Sequence, residues 1–234
     1  MRFAPDFLLA RLLHRDGLVL VIDKPAGIAV HAGPKSGTAG GGDALETYFD
    51  ALRFGLPRKP ELAHRLDRDT SGCLALGRHP KALRKLGRLF SEGRVGKTYW
   101  ALCRGSPEGE QGRIDLALKK RNEKTGWRME VAPDGRAAIT DWRLVAHADG
   151  VSFIEAMPKT GRTPQLRVHL PALGCPILGD PQYGELSAED RARPMMLHAR
   201  RLVIPISKTK PPIDVEAAPP EAMAKMLEGL GIRD

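Results

Sequence analysis

Aromatic residues make up only 5% of this 234-residue sequence, and there are three cysteines. Cys73, Cys103 and Cys175 are widely separated, and no C-x-x-C pair occurs. A disulfide framework or a structural zinc site needs closer or more numerous thiols. The three therefore read as small buried hydrophobes in a reducing cytoplasm. Long apolar runs are missing too: nothing approaches the roughly 18 uninterrupted residues of a membrane span. The apolar stretch at 7–13 is interrupted by Arg11 and followed by His14-Arg-Asp16, not by a small-residue cleavage site, so it does not read as a secretory signal.

Charge and turn formers are plentiful. Lys and Arg number 37 against 28 Asp and Glu, a formal charge of +9. Such an excess speaks about partners and favours polyanions, with RNA or DNA first. An acidic membrane surface would call for a basic amphipathic helix or a lipidation signal, and neither is present. With 25 Gly and 19 Pro alongside 42% hydrophobic residues, the chain can build a core while spending much of its length in turns. A loop-rich α+β or α/β protein is expected, in one domain with room for two lobes.

Residues 1–16 read as a lead-in with a helical turn around 7–13. Leu18-Val-Leu-Val-Ile22 predicts a buried strand ending in the turn Asp23-Lys-Pro-Ala-Gly27. The glycine-rich stretch 33–42 lacks the Gly-Lys-Ser/Thr ending of a phosphate loop and reads as a flexible surface loop. Asp43 and Glu46 have capping-box spacing ahead of a helix whose face is Leu45, Tyr48, Phe49 and Leu52, closed by Gly55. A second helix starts at Pro80, with Ala82, Leu83, Leu86, Leu89 and Phe90 on one side and Lys81, Arg84, Lys85 and Arg88 on the others. Strands are expected at 97–103, 113–119, 136–144 and 151–157. Thr163 as N-cap and Pro164 as first helical residue predict a short helix that Pro171 ends or kinks, and 220–230 has the spacing of a terminal helix.

The densest polar cluster is His64-Arg-Leu-Asp-Arg-Asp-Thr-Ser-Gly72. So many charges between apolar flanks must serve each other or a ligand. A metal site lacks any recognised ligand spacing, and Arg65 and Arg68 would repel the cation. Paired hydrolytic carboxylates usually come from different strands, which weighs against Asp67 with Asp69. The third option is a single aspartate balanced by arginine, suited to attack on a sugar carbon beside an anionic backbone. A loop salt bridge with no chemistry is the structural alternative.

The segment His64-Arg-Leu-Asp-x-x-Thr-Ser-Gly72 resembles the signature of the RluA-type family of RNA pseudouridine synthases. Val21-Ile-Asp-Lys-Pro-Ala-Gly27, Lys97-Thr-Tyr-Trp-Ala101, Thr160-Gly-Arg-Thr-Pro-Gln-Leu-Arg-Val-His169 and Gly174-Cys-Pro-Ile-Leu-Gly-Asp-Pro-Gln-Tyr-Gly184, followed by Leu197-His-Ala199, match in the same order. The resemblance spans roughly residues 17–205. It implies an α+β fold with a mixed, mainly antiparallel sheet flanked by helices and long loops, and a catalytic domain over 17–234 after the 1–16 lead-in.

It also implies roles. Asp67 would be the catalytic aspartate, Tyr99 the aromatic that packs on the target base, and Arg167 the ion-pair partner of Asp67. Arg65 would enter the RNA stack, while Lys97, Arg162, Lys81, Arg84, Lys85 and Arg88 are candidate RNA contacts. His64 and His169 read as hydrogen-bonded scaffold, and Asp69 as a turn residue. Isomerising a uridine neither oxidises nor adds anything, so no cofactor and no metal is expected. The expected partner is ribosomal RNA, transfer RNA or both, acted on by a cytoplasmic monomer. Two rivals are a non-catalytic RNA-binding or ribosome-assembly protein that keeps the fold, and a nucleoside or glycoside hydrolase. The sequence departs from the family at Pro164, where a histidine is usual, and with sixteen residues before the first motif it resembles the shorter members, so the N-terminal RNA-binding domain that many members carry is not expected.

Overall fold

The β-branched run at 18–22 becomes a strand covered on both faces. In the computed structural model, which describes residues 3–31, 44–123 and 126–232, β1 (Leu12–Arg15) and β2 (Val19–Lys24) form an antiparallel pair. The helical turn expected at 7–13 shrinks to a 3-10 turn, Leu9–Arg11. Beyond it the backbone pairs with β2, Leu12 opposite Ile22, because a ladder satisfies amides that an isolated helical turn leaves open. The stretch 33–42 and Asp43 lie outside the described residues.

The chain forms two compact units, Met1–Val95 with Arg201–Ala218 and Gly96–Arg200 with Pro219–Asp234. In the first, the face Leu45, Tyr48, Phe49 and Leu52 is buried as the periodicity predicts, but the helix is 3-10, Leu45–Leu52, with Ala44 as its N-cap. The Thr47 hydroxyl donates to the Ala44 carbonyl at 2.7 Å. The Tyr48 ring meets Phe7 edge-on at 4.8 Å between centroids. Phe54 and Gly55, with φ of 46° and 83°, turn the chain away from it. The short β3 (Glu61–Leu62) leads through the polar cluster to β4 (Ser71–Gly77), all of whose residues are buried. β4 pairs antiparallel with β2, Leu20 opposite Leu76 and Ile22 opposite Leu74.

α1 (Pro80–Ser91) packs behind this pair. Its His79 cap accepts the Ala82 amide at 3.2 Å, and Pro80 fills a first-turn position that has no intrahelical partner to lose. Leu86 and Leu89 join Val19, Val21, Cys73 and Ala75 in one core, each fully buried Val or Leu side chain contributing about 1.5–3 kcal/mol. Gly77 permits the approach, since a Cβ there would lie 2.9 Å from the Leu83 Cα.

The second unit begins with β5 (Gly96–Arg104). The strand expected at 113–119 divides into β6 (Gln111–Asp115) and β7 (Leu118–Glu123), and β7 turns into an unanticipated hairpin with β8 (Gly126–Val131). β9 (Ile139–Ala148) and β10 (Val151–Pro158) follow, the first starting three residues later than expected at 136. β10 lies between β5 and β9, and β6 pairs with β9, all antiparallel. Then come α2 (Gln165–Ala172), a five-residue α3 (Ala188–Ala192) and β11 (Leu197–Ile204). From Arg201 onward β11 belongs to the first unit, where it pairs with β12 (Ile213–Glu216). α4 (Glu221–Gly229) closes the second unit, burying Met223 and Leu227 of the predicted terminal stripe. The three cysteines are buried and reduced. The class is α+β, with a mainly antiparallel sheet flanked by few helices. Among the described residues no helix is long and apolar enough to cross a membrane.

Candidate active site

In the first unit the polar cluster is an ordered loop. Leu66 is buried, Asp67 is half-buried at the entry to a turn through Arg68 and Asp69, and Thr70 and Ser71 are buried at the start of β4. The Thr70 amide donates to the Asp67 carbonyl at 3.3 Å, closing the turn. His64 accepts the Ala75 amide through Nε2 at 3.0 Å and stacks on Phe90, ring centroids 4.4 Å apart. That makes His64 part of the scaffold, as its sequence context suggests. Gly72, with φ of 102°, adopts a backbone conformation that side chains disfavour.

What fixes this loop is a residue to which sequence reasoning assigned no role. Lys24 ends β2 with no exposed surface, and its ammonium donates to the carbonyls of Pro25 at 2.8 Å, Ile28 at 2.9 Å and Arg68 at 2.9 Å. An ammonium has three donors, so these three acceptors saturate it. The Gly27 amide also donates to the Arg68 carbonyl, at 2.9 Å. The turn at 24–28 and the Arg68 carbonyl, one residue past Asp67, are thereby tied together. Burial pushes the Lys24 pKa down to about 8, against the pull of Asp69, Asp67 and Asp23. The signal was present in the sequence: a lysine continuing a β-branched run is buried only if its charge is satisfied.

Arg65, Lys81, Arg84, Lys85 and Arg88 are exposed in the same unit. Arg88 makes a surface pair with Glu92 at 3.3 Å.

The second unit carries Tyr99, Lys97, Arg162 and Arg167. Lys97 and Tyr99 are half-buried near the start of β5. Lys97 donates to the Thr160 carbonyl at 2.9 Å, and burial lowers its pKa to about 8. Arg162, exposed, donates from Nε to the Ala137 carbonyl at 3.2 Å. The helix expected from Pro164 starts one residue later: Pro164 is the N-cap, joined to Thr163 by a cis peptide bond, and Thr163 makes no side-chain cap. Pro171 is tolerated inside the last turn of α2, which ends at Ala172.

Gln165, the first residue of α2, is buried and fully bonded. Its Oε1 accepts from the Thr160 hydroxyl at 2.7 Å and the Arg162 amide at 3.1 Å; its Nε2 donates to the Ile139 carbonyl at 3.0 Å and the Thr140 hydroxyl at 2.9 Å. His169 continues the network. Its Nε2 faces the Leu116 carbonyl at 3.0 Å, which can only accept, so Nδ1 of the neutral ring takes the Thr140 hydroxyl proton at 3.0 Å. Burial holds the His169 pKa below the usual value, in keeping with a neutral scaffold ring.

One turn along α2, Arg167 meets Asp180, buried to 1% of its side-chain surface. Asp180 also accepts the Gln182 and Tyr183 amides at 2.9 and 3.0 Å. The Arg167 guanidinium lies over the Tyr183 ring, 4.9 Å from its centroid. Asp180 and Tyr183 stood in a matched motif without an assigned task.

Residues 18–172 match the model of a family described as RNA pseudouridylate synthase. The chain is 45% identical over 221 residues to a Zymomonas mobilis protein named as an uncharacterized RNA pseudouridine synthase, covering 94% of this chain and 98% of that protein. It is 32% identical to the ribosomal large subunit pseudouridine synthase C of Vibrio vulnificus, over 94% of this chain and 69% of the relative. Other relatives are longer, and the chain spans 56% of one from Chloroflexus aurantiacus and 64% of the ribosomal large subunit pseudouridine synthase D of Borreliella burgdorferi. Among solved structures, human RNA pseudouridylate synthase domain containing 4 aligns with a TM-score of 0.80 at 25% identity, covering 98% of this chain and 96% of that one.

Proposed function

The chain belongs to the RNA pseudouridylate synthase family, whose members isomerise uridine to pseudouridine in RNA, and from this premise we propose that Asp67 is the carboxylate that acts at the ribose C1′ of an extruded uridine. The N1–C1′ bond breaks, the base turns, and C5 bonds to C1′. C5 loses a proton and N1 gains one, so the reaction balances without an oxidant or a second substrate. One carboxylate at the sugar carbon, as nucleophile or as stabiliser of a cationic sugar, is the chemistry such a step requires.

The observation that carries this reading is the Lys24 anchor, whose one ammonium ties the carbonyl of Arg68, next to Asp67 in the chain, to the carbonyls of Pro25 and Ile28. A carboxylate that must meet one carbon gains from a loop held in one geometry. Tyr99 supplies a ring for the extruded base, and Arg167, aimed by Asp180, is the ion-pair partner of Asp67. Arg65, exposed two residues before Asp67, fills the space vacated in the RNA stack. Lys97, Arg162 and the exposed cations of α1 hold backbone phosphates, Lys97 with the donors not used by Thr160. Large-subunit ribosomal RNA is the favoured substrate on the strength of the relatives' names, with transfer RNA second. We place the reaction in the cytoplasm, carried out by a monomer.

The test is tritium release from C5-labelled uridine in RNA. Wild type should release tritium, and Asp67→Asn should release none while binding the same RNA. Equal release by both proteins overturns the assignment of Asp67.

A further inference from the structure

The second unit holds a cavity of about 310 Å³ between the β7–β8 hairpin and α2, and of its charged lining residues only Arg167 has a part in the proposed reaction. Arg121, Arg128, Glu130, Arg167 and Tyr183 line it. Arg121 and Arg128 stand directly opposite each other in the hairpin register. Like charges facing across a strand pair destabilise it, and a two-stranded sheet has little stability to spare. Glu130 offsets part of this through Arg121, at 3.3 Å. Arg128 is left over the Tyr183 ring, 5.0 Å from a centroid that Arg167 also approaches to 4.9 Å. The ring is buried to 3% and its hydroxyl accepts the Met129 amide at 3.1 Å, so Tyr183 is fixed beneath the hairpin and offers no open face to a base.

With Arg167 offset by Asp180 and Arg121 in part by Glu130, the excess positive charge of the lining rests on Arg128 and the outer edge of Arg121. Planar guanidinium forks suit the tetrahedral oxygens of a phosphate. We propose that this cavity takes a backbone phosphate of the RNA substrate, held by Arg128 and Arg121 beside Arg167. The proposal rests on the reading of the chain as an enzyme acting on RNA, and it extends the RNA footprint to a hairpin that carried no predicted role. Free phosphate has the same chemistry, so the experiment must separate the two.

Binding of a C5-tritiated large-subunit ribosomal RNA transcript is measured by filter retention against salt for wild type, Arg128→Gln and Glu130→Gln, with melting temperature as the check on folding. Removing a charge-assisted hydrogen bond should weaken RNA binding about tenfold in Arg128→Gln and flatten the log–log salt slope by about 0.7–0.9. Glu130→Gln removes the competing carboxylate and should tighten binding, an effect that a structural role does not produce. Unchanged affinity and slope in both folded variants overturn the proposal. So does inorganic phosphate that raises the melting temperature of wild type, but not of Arg128→Gln, while RNA binding is the same for both, because the site then takes the free anion. Tritium release by wild type is followed in parallel. Its absence sinks the isomerase reading, whereas the phosphate site stands or falls on binding.

Discussion

Arg167 sets Nε and Nη2 on the two carboxylate oxygens of Asp180 at 2.7 and 2.8 Å, in a pair of which 13% and 1% of the side-chain surfaces are exposed. Two parallel bonds fix the guanidinium plane as well as its position. Removing one member of such a pair leaves the other desolvated without its partner. Asp180→Ala should therefore lower the unfolding free energy by about 3–5 kcal/mol, read from urea denaturation. Asp180→Asn keeps the size and an acceptor for the Tyr183 amide but loses the charge. If Arg167 aligns Asp67 as proposed, this variant reduces kcat more than it raises KM, and a variant that changes stability alone refutes that link.

Tyr99 lies half-buried on β5, opposite Ala156 of β10. A ring that packs on the extruded base contributes about 1–3 kcal/mol per base. Tyr99→Ala should accordingly lower kcat/KM for tritium release by about 5- to 150-fold, while Tyr99→Phe keeps the face and most of the rate. Single-turnover assays on one RNA decide the matter. An equal loss in both variants would shift the weight from the ring to the hydroxyl.

The cations of α1 project from the side opposite Leu86 and Leu89, so their removal leaves the core intact. Neutralising Lys81, Arg84 and Lys85 together should weaken binding across unrelated RNA sequences and flatten the salt slope, by at most about 0.9 for each phosphate no longer neutralised. Melting temperature should barely change. Arg88→Gln alone should have a smaller effect, since Arg88 already pairs with Glu92. Filter binding over a salt series measures all four.

The helices and strands that were legible in the sequence are those whose burial follows a single period. α1 carries its apolar stripe, cap and proline in register, β2 is a largely β-branched run, and β10 is a mostly buried strand. The β7–β8 hairpin was hidden because Lys119, Lys120, Arg121 and Asn122 show no apolar alternation, and only the paired structure reveals what they face. At the start of α2, Thr-Pro is a strong local signal for a threonine cap, yet Pro164 takes the cap position and Gln165, held by four hydrogen bonds to residues distant or preceding in the chain, opens the helix. The site divides along the same line. Asp67, Tyr99 and Arg167 are proposed on the strength of motifs. Lys24 and Asp180, which hold a loop and an arginine in place, act through contacts 44 and 13 residues away in sequence.

Lys24 also makes stability depend on pH in a direction opposite to that of ordinary salt-bridged lysines. Its pKa falls from 10.5 to about 8 in the folded protein because burial disfavours the ammonium. Between those values the unfolded chain holds a proton that the native state has released. Stability therefore rises with pH across that window, by up to about 1.4 kcal/mol per pH unit. Lys97 titrates over the same range, so the comparison must cancel it. Lys24→Met does so: it retains Lys97, removes the titration at position 24 and leaves the Pro25, Ile28 and Arg68 carbonyls without their donor. Wild type should be the more stable protein at about pH 7.5, and its advantage over Lys24→Met should widen towards about pH 10, as read from urea denaturation at each pH. An advantage that stays flat or narrows means that Lys24 keeps its proton throughout, and that its three acceptors outweigh the cost of burying its charge.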